Sequence, residues 1–135
     1  MNKDTLIALA KEAMERAYVP YSGYKVGAAL LCDDGTVYQG CNIENAAYGP
    51  TNCAERTAFF KAVYDGHREF AAIAVCGGKG GKITGFFPPC GVCRQVMREF
   101  CRDDFIIYLV GAGDDCETVT LAELLPHSFQ ASEHM

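Results

Sequence analysis

Apolar positions in the first part of the chain recur at helical spacing and then change to the runs expected of strands. Leu6, Leu9, Ala10, Ala13, Met14 and Ala17 fall on one helical face, which predicts an amphipathic helix from about Asp4 to Tyr18. Asp4 suits its N-cap or first turn, and Pro20 helps to end it. Val26–Cys32 (VGAALLC) and Thr36–Cys41 (TVYQGC) flank the turn residues Asp33, Asp34 and Gly35 and read as a β-hairpin. A polar stretch, NIENAAYGPTN, leads into a second helix from Cys53 to about Tyr64. Phe70–Cys76 (FAAIAVC) and Phe105–Val110 (FIIYLV) are short, almost wholly apolar runs, the pattern of strands buried on both faces. GGKGGK (Gly77–Lys82) predicts a surface loop without regular structure. Gly91–Cys101 returns to helical spacing through Val92, Val96, Met97 and Phe100. A short strand near Thr118–Thr120 and a helical turn at LAELL precede Pro126.

The order α-β-β-α-β-α-β predicts an α/β fold, a mixed β-sheet covered by helices, in a single domain over residues 1–135. That length suffices to close one hydrophobic core, and half of the residues are apolar, so disorder is not expected. Lys3, Asp4, Lys11, Glu12, Glu15 and Arg16 interrupt the first apolar run, a pattern unlike a signal peptide or a membrane span. The expectation is a cytoplasmic protein with no membrane partner. The net charge is -5 and Lys and Arg form no block, which argues against a nucleic-acid partner and for a small, nearly neutral substrate.

Eight cysteines in such a chain need an account. A disulfide framework requires an oxidising compartment, to which nothing in the sequence directs the chain. Cys32, Cys41, Cys76, Cys101 and Cys116 read as small buried apolar residues. The other three stand in Cys53-Ala54-Glu55 and Pro89-Cys90-Gly91-Val92-Cys93, each where a helix begins. Two thiols at a helix start converge on one metal from a single turn, and the positive end of the helix favours thiolate. Cys53 supplies a third sulfur from a second helix. Three thiolates leave a tetrahedral zinc with one open position, the mark of a catalytic site, and Glu55 is placed to shuttle protons to and from water there. A His or Cys followed two residues on by Glu, and then P-C-x-x-C, is the general signature of zinc deaminases. Arg56 is a candidate donor to the ligand sulfurs, offsetting their charge, and Gln95 a second such donor. A closed zinc knot completed by Cys101, His67 or His127 is the structural alternative, but it assigns no role to Glu55. A thioredoxin-like role for Cys90 and Cys93 would leave both Cys53 and Glu55 idle.

With these motifs in place, the chain resembles the cytidine deaminases, specifically the short, three-cysteine, homotetrameric kind. The resemblance runs through Y-S-G-Y-K-V-G-A-A-L (Tyr21–Leu30), G-C-N-I-E-N-A (Gly40–Ala46), T-N-C-A-E-R-T-A (Thr51–Ala58), P-P-C-G-V-C-R-Q (Pro88–Gln95) and L-L-P-H-S-F (Leu124–Phe129). It implies hydrolysis of cytidine or 2′-deoxycytidine to the uridines and ammonia, in pyrimidine salvage. It implies one Zn2+ per subunit on Cys53, Cys90 and Cys93, with Glu55 as proton shuttle. By the same resemblance the backbone around Ala54 meets the pyrimidine, Asn42 and Glu44 grip the ribose 3′-hydroxyl, and Tyr24 stands where the family usually has a base-lining Phe. Phe129 matches an aromatic delivered by a neighbouring subunit, so the active sites of a homotetramer would be shared. Read without the resemblance, Asn42 and Glu44 are ordinary loop-capping residues. Lys25, beside the base pocket that the resemblance implies, and the long GGKGGKITGFF connection depart from the pattern and bear on the preference for substituted bases or phosphorylated sugars. The alternatives are a deaminase of a related aminated nucleoside or nucleoside antibiotic, and a non-catalytic zinc-stabilised binding module.

Overall fold

The computed structural model describes residues 1–135, the side chain of His134 excepted. Its elements are α1 (Lys3–Met14), β1 (Tyr24–Cys32), β2 (Val37–Cys41), α2 (Ala54–Tyr64), β3 (Phe70–Lys79), α3 (Gly91–Phe100), β4 (Ile106–Val110), β5 (Cys116–Thr120), α4 (Leu121–Leu124) and α5 (Ala131–His134). The five strands form one sheet in the order β2-β1-β3-β4-β5. Only β3 and β4 run parallel; the other neighbours are antiparallel. The parallel pair requires a crossover, and α3 provides it. The mixed α/β sheet with its helices is the predicted class.

Strand alternation divides the core into two layers. Ala28, Leu30 and Cys32 of β1 pack with Ala58, Phe59 and Met97 on the side covered by α2 and α3. Ala29 packs on the opposite side with Leu6, Ala10 and Met14 of α1. Ile73, Val75 and Ile107 join the first layer, Ala72, Ala74 and Cys76 the second, so the apolar runs are strands covered on both faces, as their composition predicts.

The structure corrects several expectations. α1 stops at Met14 rather than at Tyr18. Arg16 and Ala17 donate back to Ala13 and Met14 to close the turn, and Tyr18 is then drawn into a bridge with Ile43: its N–H donates to Asn42 O at 3.0 Å and its carbonyl accepts from Glu44 N at 2.9 Å. Asn2 is the N-cap, accepting from Thr5 N, and Asp4 is the first-turn acid. β5 starts two residues earlier than expected, and α4 is closed by a reciprocal capping box between Thr120 and Glu123.

The largest correction concerns GGKGGK. Gly77, Gly78 and Lys79 continue β3, pairing with Val26, Lys25 and Tyr24, and only the following residues turn at the surface. Glycine is needed because the strand is enclosed: a Cβ on Gly78 would lie 1.8 Å from Lys82 O, and one on Gly77 would lie 3.0 Å from Val26 Cγ2. Composition alone suggests a loop; close approach of backbone explains the glycines instead.

The same device sets α2 against the sheet. A Cβ on Gly40 would lie 2.3 Å from Ala54 O and 2.6 Å from Ala58 N, so β2 touches the first turns of α2 backbone to backbone. Gly40→Ala is therefore expected to destabilise the protein by about 2 kcal/mol or more, as overpacking of a closed site does. Gly49→Ala, where an added Cβ meets nothing within 4 Å, should stay within about 0.5 kcal/mol of the parent. Equal denaturant midpoints for the two variants would contradict the close packing of β2 on α2.

Candidate metal centre and substrate pocket

Cys53 is the N-cap of α2 and Cys90 the N-cap of α3, both with extended backbone and neither spending its side chain on a capping hydrogen bond. Cys93 lies in the first turn of α3 and is buried. Two helix N-termini thereby deliver three sulfurs to one point. All lie within 4.8 Å of one another, and Cys53 and Cys90 Sγ are 3.6 Å apart. Tetrahedral Zn–S bonds of about 2.3 Å would set sulfurs about 3.8 Å apart, so the cluster fits zinc. Among the described residues no fourth ligand atom joins it, and Cys101, His67 and His127 all lie outside. The closed zinc knot is thus not what these residues form.

The cluster is electrostatically prepared for a cation. The Cys53 thiol is pulled well down, first by its hydrogen bond with Cys93, against burial, and then by Arg56 and Cys90. The same Cys53 contact, with burial, drives Cys93 upward. Arg56 Nη2 donates to Cys53 Sγ at 3.2 Å, the contact expected for it. Glu55, in the first turn of α2, is buried, with 4% exposure. Burial raises its carboxyl to about 7, and the charge on Cys53 adds to the rise. A carboxyl near 7 both accepts and returns a proton at neutral pH.

A cavity of about 280 Å³ opens onto this centre, with Cys53, Ala54, Glu55 and Cys90 in its wall. Tyr24, Asn42 and Glu44 also line it, as does Phe87, which the sequence did not single out. Tyr24 is exposed, with its ring 6.2 Å from that of Phe87 and the Lys79 ammonium 5.5 Å from its centroid. Asn42 Oδ1 accepts from Val26 N at 2.9 Å and Nδ2 donates to Tyr24 O at 2.8 Å. Glu44 Oε1 accepts from the N–H groups of Tyr21 and Ser22 at 3.0 Å, and Oε2 accepts from the Ser22 hydroxyl. These bonds hold Glu44 below the usual carboxylate range, the Ser22 hydroxyl contributing most. Both side chains therefore cap backbone and line the cavity at once. Ser22 is visible in the Y-S-G motif, but its bond to Glu44 spans 22 residues; Phe87, beside Pro88, carries no sequence mark of chemistry.

Two predicted site residues lie elsewhere. Gln95 is exposed and donates from Nε2 to the carbonyl of Phe129 at 3.0 Å, not to a ligand sulfur. Its place on α3 directs it to the C-terminal segment, where a polar acceptor is available. Phe129, 56% exposed, is outside its own chain's cavity. It borders a larger cleft of about 530 Å³ beside Arg98 and Arg102, which holds none of the three cysteines. Lys25 projects from β1 toward Gly81, away from the cavity wall formed by its neighbours Tyr24 and Val26. Of the other cysteines, Cys32, Cys76 and Cys101 are buried as expected, whereas Cys41 and Cys116 are only half-buried.

Fold and cluster together define a class: a zinc-binding α/β domain with a small-molecule cavity. The family model described as "Cytidine and deoxycytidylate deaminase zinc-binding region" matches residues 1–109. A protein of Sporosarcina psychrophila named cytidine deaminase is 54% identical over 133 residues, covering 98% of this chain and 95% of its own. One of Halalkalibacterium halodurans with the same name is 51% identical, covering 98% of each. The crystal structure of cytidine deaminase from Burkholderia pseudomallei superimposes with a TM-score of 0.89 at 49% identity, covering 96% of this chain and all of the other. The chain belongs to the cytidine deaminase family.

The Ser22–Glu44 bond yields a pH prediction. A carboxylate depressed in the folded state contributes stability above its unfolded pKa and loses it as pH falls through the folded value. Ser22→Ala should therefore move the Glu44 titration upward, so that this contribution is lost at a higher pH. Carboxyl ¹³C titrations of both proteins give the readout. Coincident Glu44 curves would show that the hydroxyl does not hold the charge.

Proposed function

We propose that the chain catalyses the zinc-dependent hydrolysis of cytidine and 2′-deoxycytidine to uridine and 2′-deoxyuridine with release of ammonia, in cytoplasmic pyrimidine salvage. The observation that carries this reading is the three-sulfur cluster beside a buried Glu55 at one wall of a small cavity. Among the described residues no helix is long and apolar enough to cross a membrane.

Cys53, Cys90 and Cys93 would hold one zinc per subunit, which would supply an electrophilic position that makes water nucleophilic at neutral pH. Glu55 accepts a proton from the attacking water and passes it to N3 as the oxygen adds to C4 of the cytosine ring. It then carries the second proton to the amino group, the C4–N bond breaks and ammonia leaves. Arg56, already on Cys53 Sγ, draws charge from a zinc site whose three thiolates would otherwise leave it at -1. Backbone at Ala54 faces the pyrimidine, Asn42 and Glu44 meet the ribose hydroxyl, and Tyr24 lines the base site. The remaining lone pairs of Glu44 and the second amide hydrogen of Asn42 supply both polarities that a sugar hydroxyl requires. The size of the cavity and the acidic charge support a free nucleoside over a polynucleotide.

Glu55→Gln should retain zinc but lose more than about a hundredfold in turnover, because an amide cannot cycle a proton. Ammonia release is to be measured for both proteins with cytidine, deoxycytidine, cytosine, CMP and single-stranded DNA. Turnover of the variant above about a tenth of the parent would remove Glu55 from the chemistry. A preference for CMP or DNA would displace the nucleoside assignment.

The assembly we propose is a homotetramer with shared sites. It is supported by Phe129 standing outside its own cavity and by exposed aromatics such as Tyr48, Phe60 and Tyr64. Base stacking is commonly worth about 1–3 kcal/mol, so Phe129→Ala should raise KM by roughly tenfold or more. Dissociating and reassociating Glu55→Gln subunits with Phe129→Ala subunits should restore part of the affinity at mixed sites. Hybrid tetramers without any recovery would return Phe129 to its own subunit.

A further inference from the structure

We propose that Cys32, Asp34 and His67 form a second divalent-metal site that takes zinc and staples the β1–β2 turn to the end of α2. The Cys32 Sγ, one Asp34 carboxylate oxygen and one His67 ring nitrogen all lie within 4.8 Å of one another. Cys32 ends β1, whereas Tyr24 of the substrate cavity begins it. Eight strand steps separate the two sites by about 26 Å along β1.

The arrangement has the spacing of ligands around a metal rather than that of a direct bond. His67 Nδ1 and Asp34 Oδ2 are 3.6 Å apart, long for a hydrogen bond between them. Two tetrahedral zinc ligands at about 2.0–2.1 Å would stand about 3.4 Å apart. Asp34 is already oriented for one-oxygen ligation: Oδ1 accepts from Thr36 N at 3.0 Å, which leaves Oδ2 toward His67. Outer hydrogen bonds of this kind orient ligating carboxylates. The His67 ring packs edge-on against Tyr38, with centroids 5.3 Å apart, while the Tyr38 hydroxyl donates to Asp65. The backbone N–H of His67 donates to Ala62 O at 3.0 Å, which ties the residue to α2.

The charge balance also suits zinc. One thiolate, one carboxylate and one neutral imidazole make a neutral complex with Zn2+, which a half-buried position tolerates better than a net charge. Cys32 is buried while Asp34 is exposed, so the site has a closed side and an open entry. Burial raises the Cys32 thiol to about 11, with the charges of Asp34 and Asp33 adding to it. Its proton is released to solvent as the sulfur binds. Thiolate, imidazole and carboxylate are all zinc ligands, and a fourth position remains for water.

The test counts zinc in the full-length protein after equilibration with excess Zn2+ and removal of loosely held ions. The wild type should retain two equivalents per chain, and its melting temperature should rise as the second is taken up. His67→Gln and Asp34→Asn, the latter at an exposed position tolerant of change, should each retain one equivalent and full cytidine turnover. Their affinity for the second equivalent should fall by more than about a hundredfold, beyond the 10–100-fold typical of losing only an outer partner. One equivalent in the wild type would overturn the proposal. So would a second equivalent that persists in both variants, since the ion would then reside elsewhere.

Discussion

Three sulfurs within 4.8 Å of one another concentrate negative charge, and the surrounding architecture answers to that requirement. Thiolates so close repel unless positive potential meets them from several directions. Two helix N-termini supply part of it, because Cys53 and Cys90 occupy the N-caps of α2 and α3 without spending their sulfurs on capping bonds. Arg56 supplies more through its contact with Cys53 Sγ. A bound zinc would supply the rest. Bringing two helix starts together demands that both helices lie on the same face of the sheet, and the chain order accomplishes this: α2 precedes β3, and α3 links β3 to its parallel partner β4. The backbone contact of β2 with α2 at Gly40 then limits how α2 can shift.

Glu55 follows from the same geometry. Two residues after the N-cap it is carried into the interior, where loss of water and the charge on Cys53 raise its proton affinity. Burial alone would make such a group a liability. Beside the cysteine cluster and the cavity, that burial holds its proton affinity near neutral pH. Glu44, which lines the same cavity, is treated differently. Glu44 is exposed to donors and is kept ionised by Ser22 and by two backbone N–H groups. Two acidic residues of one cavity are thus held in different protonation regimes, one by desolvation and one by hydrogen bonds.

The two cysteine-containing clusters differ in the same terms. Three thiolates exceed the charge of Zn2+ and need Arg56; a thiolate, a carboxylate and an imidazole balance it unaided. A centre at the cavity and a clamp at the far end of β1 are therefore compatible within one small sheet.

Groups close together along the chain are legible from the sequence. The sulfurs of Cys90 and Cys93 are one helical turn apart, so helical spacing places them together, and Glu55 is close to Cys53 by chain proximity at the start of α2. The strands, the hairpin and both helix starts follow from local apolar spacing for the same reason. What the tertiary structure decided are relations that local spacing does not encode. Gly77 and Gly78 resemble loop residues until β1 and Lys82 close around them. Gln95 is a reasonable donor to sulfur by proximity in sequence, but its amide meets the Phe129 carbonyl, 34 residues away. Ser22 and Glu44, and Cys32 with His67, meet only because the chain folds back between them. Local sequence determines the period of an element and the chemistry at its ends; the register and packing between elements determine which distant groups share a site, because hydrogen bonds and metal coordination act over only a few ångströms.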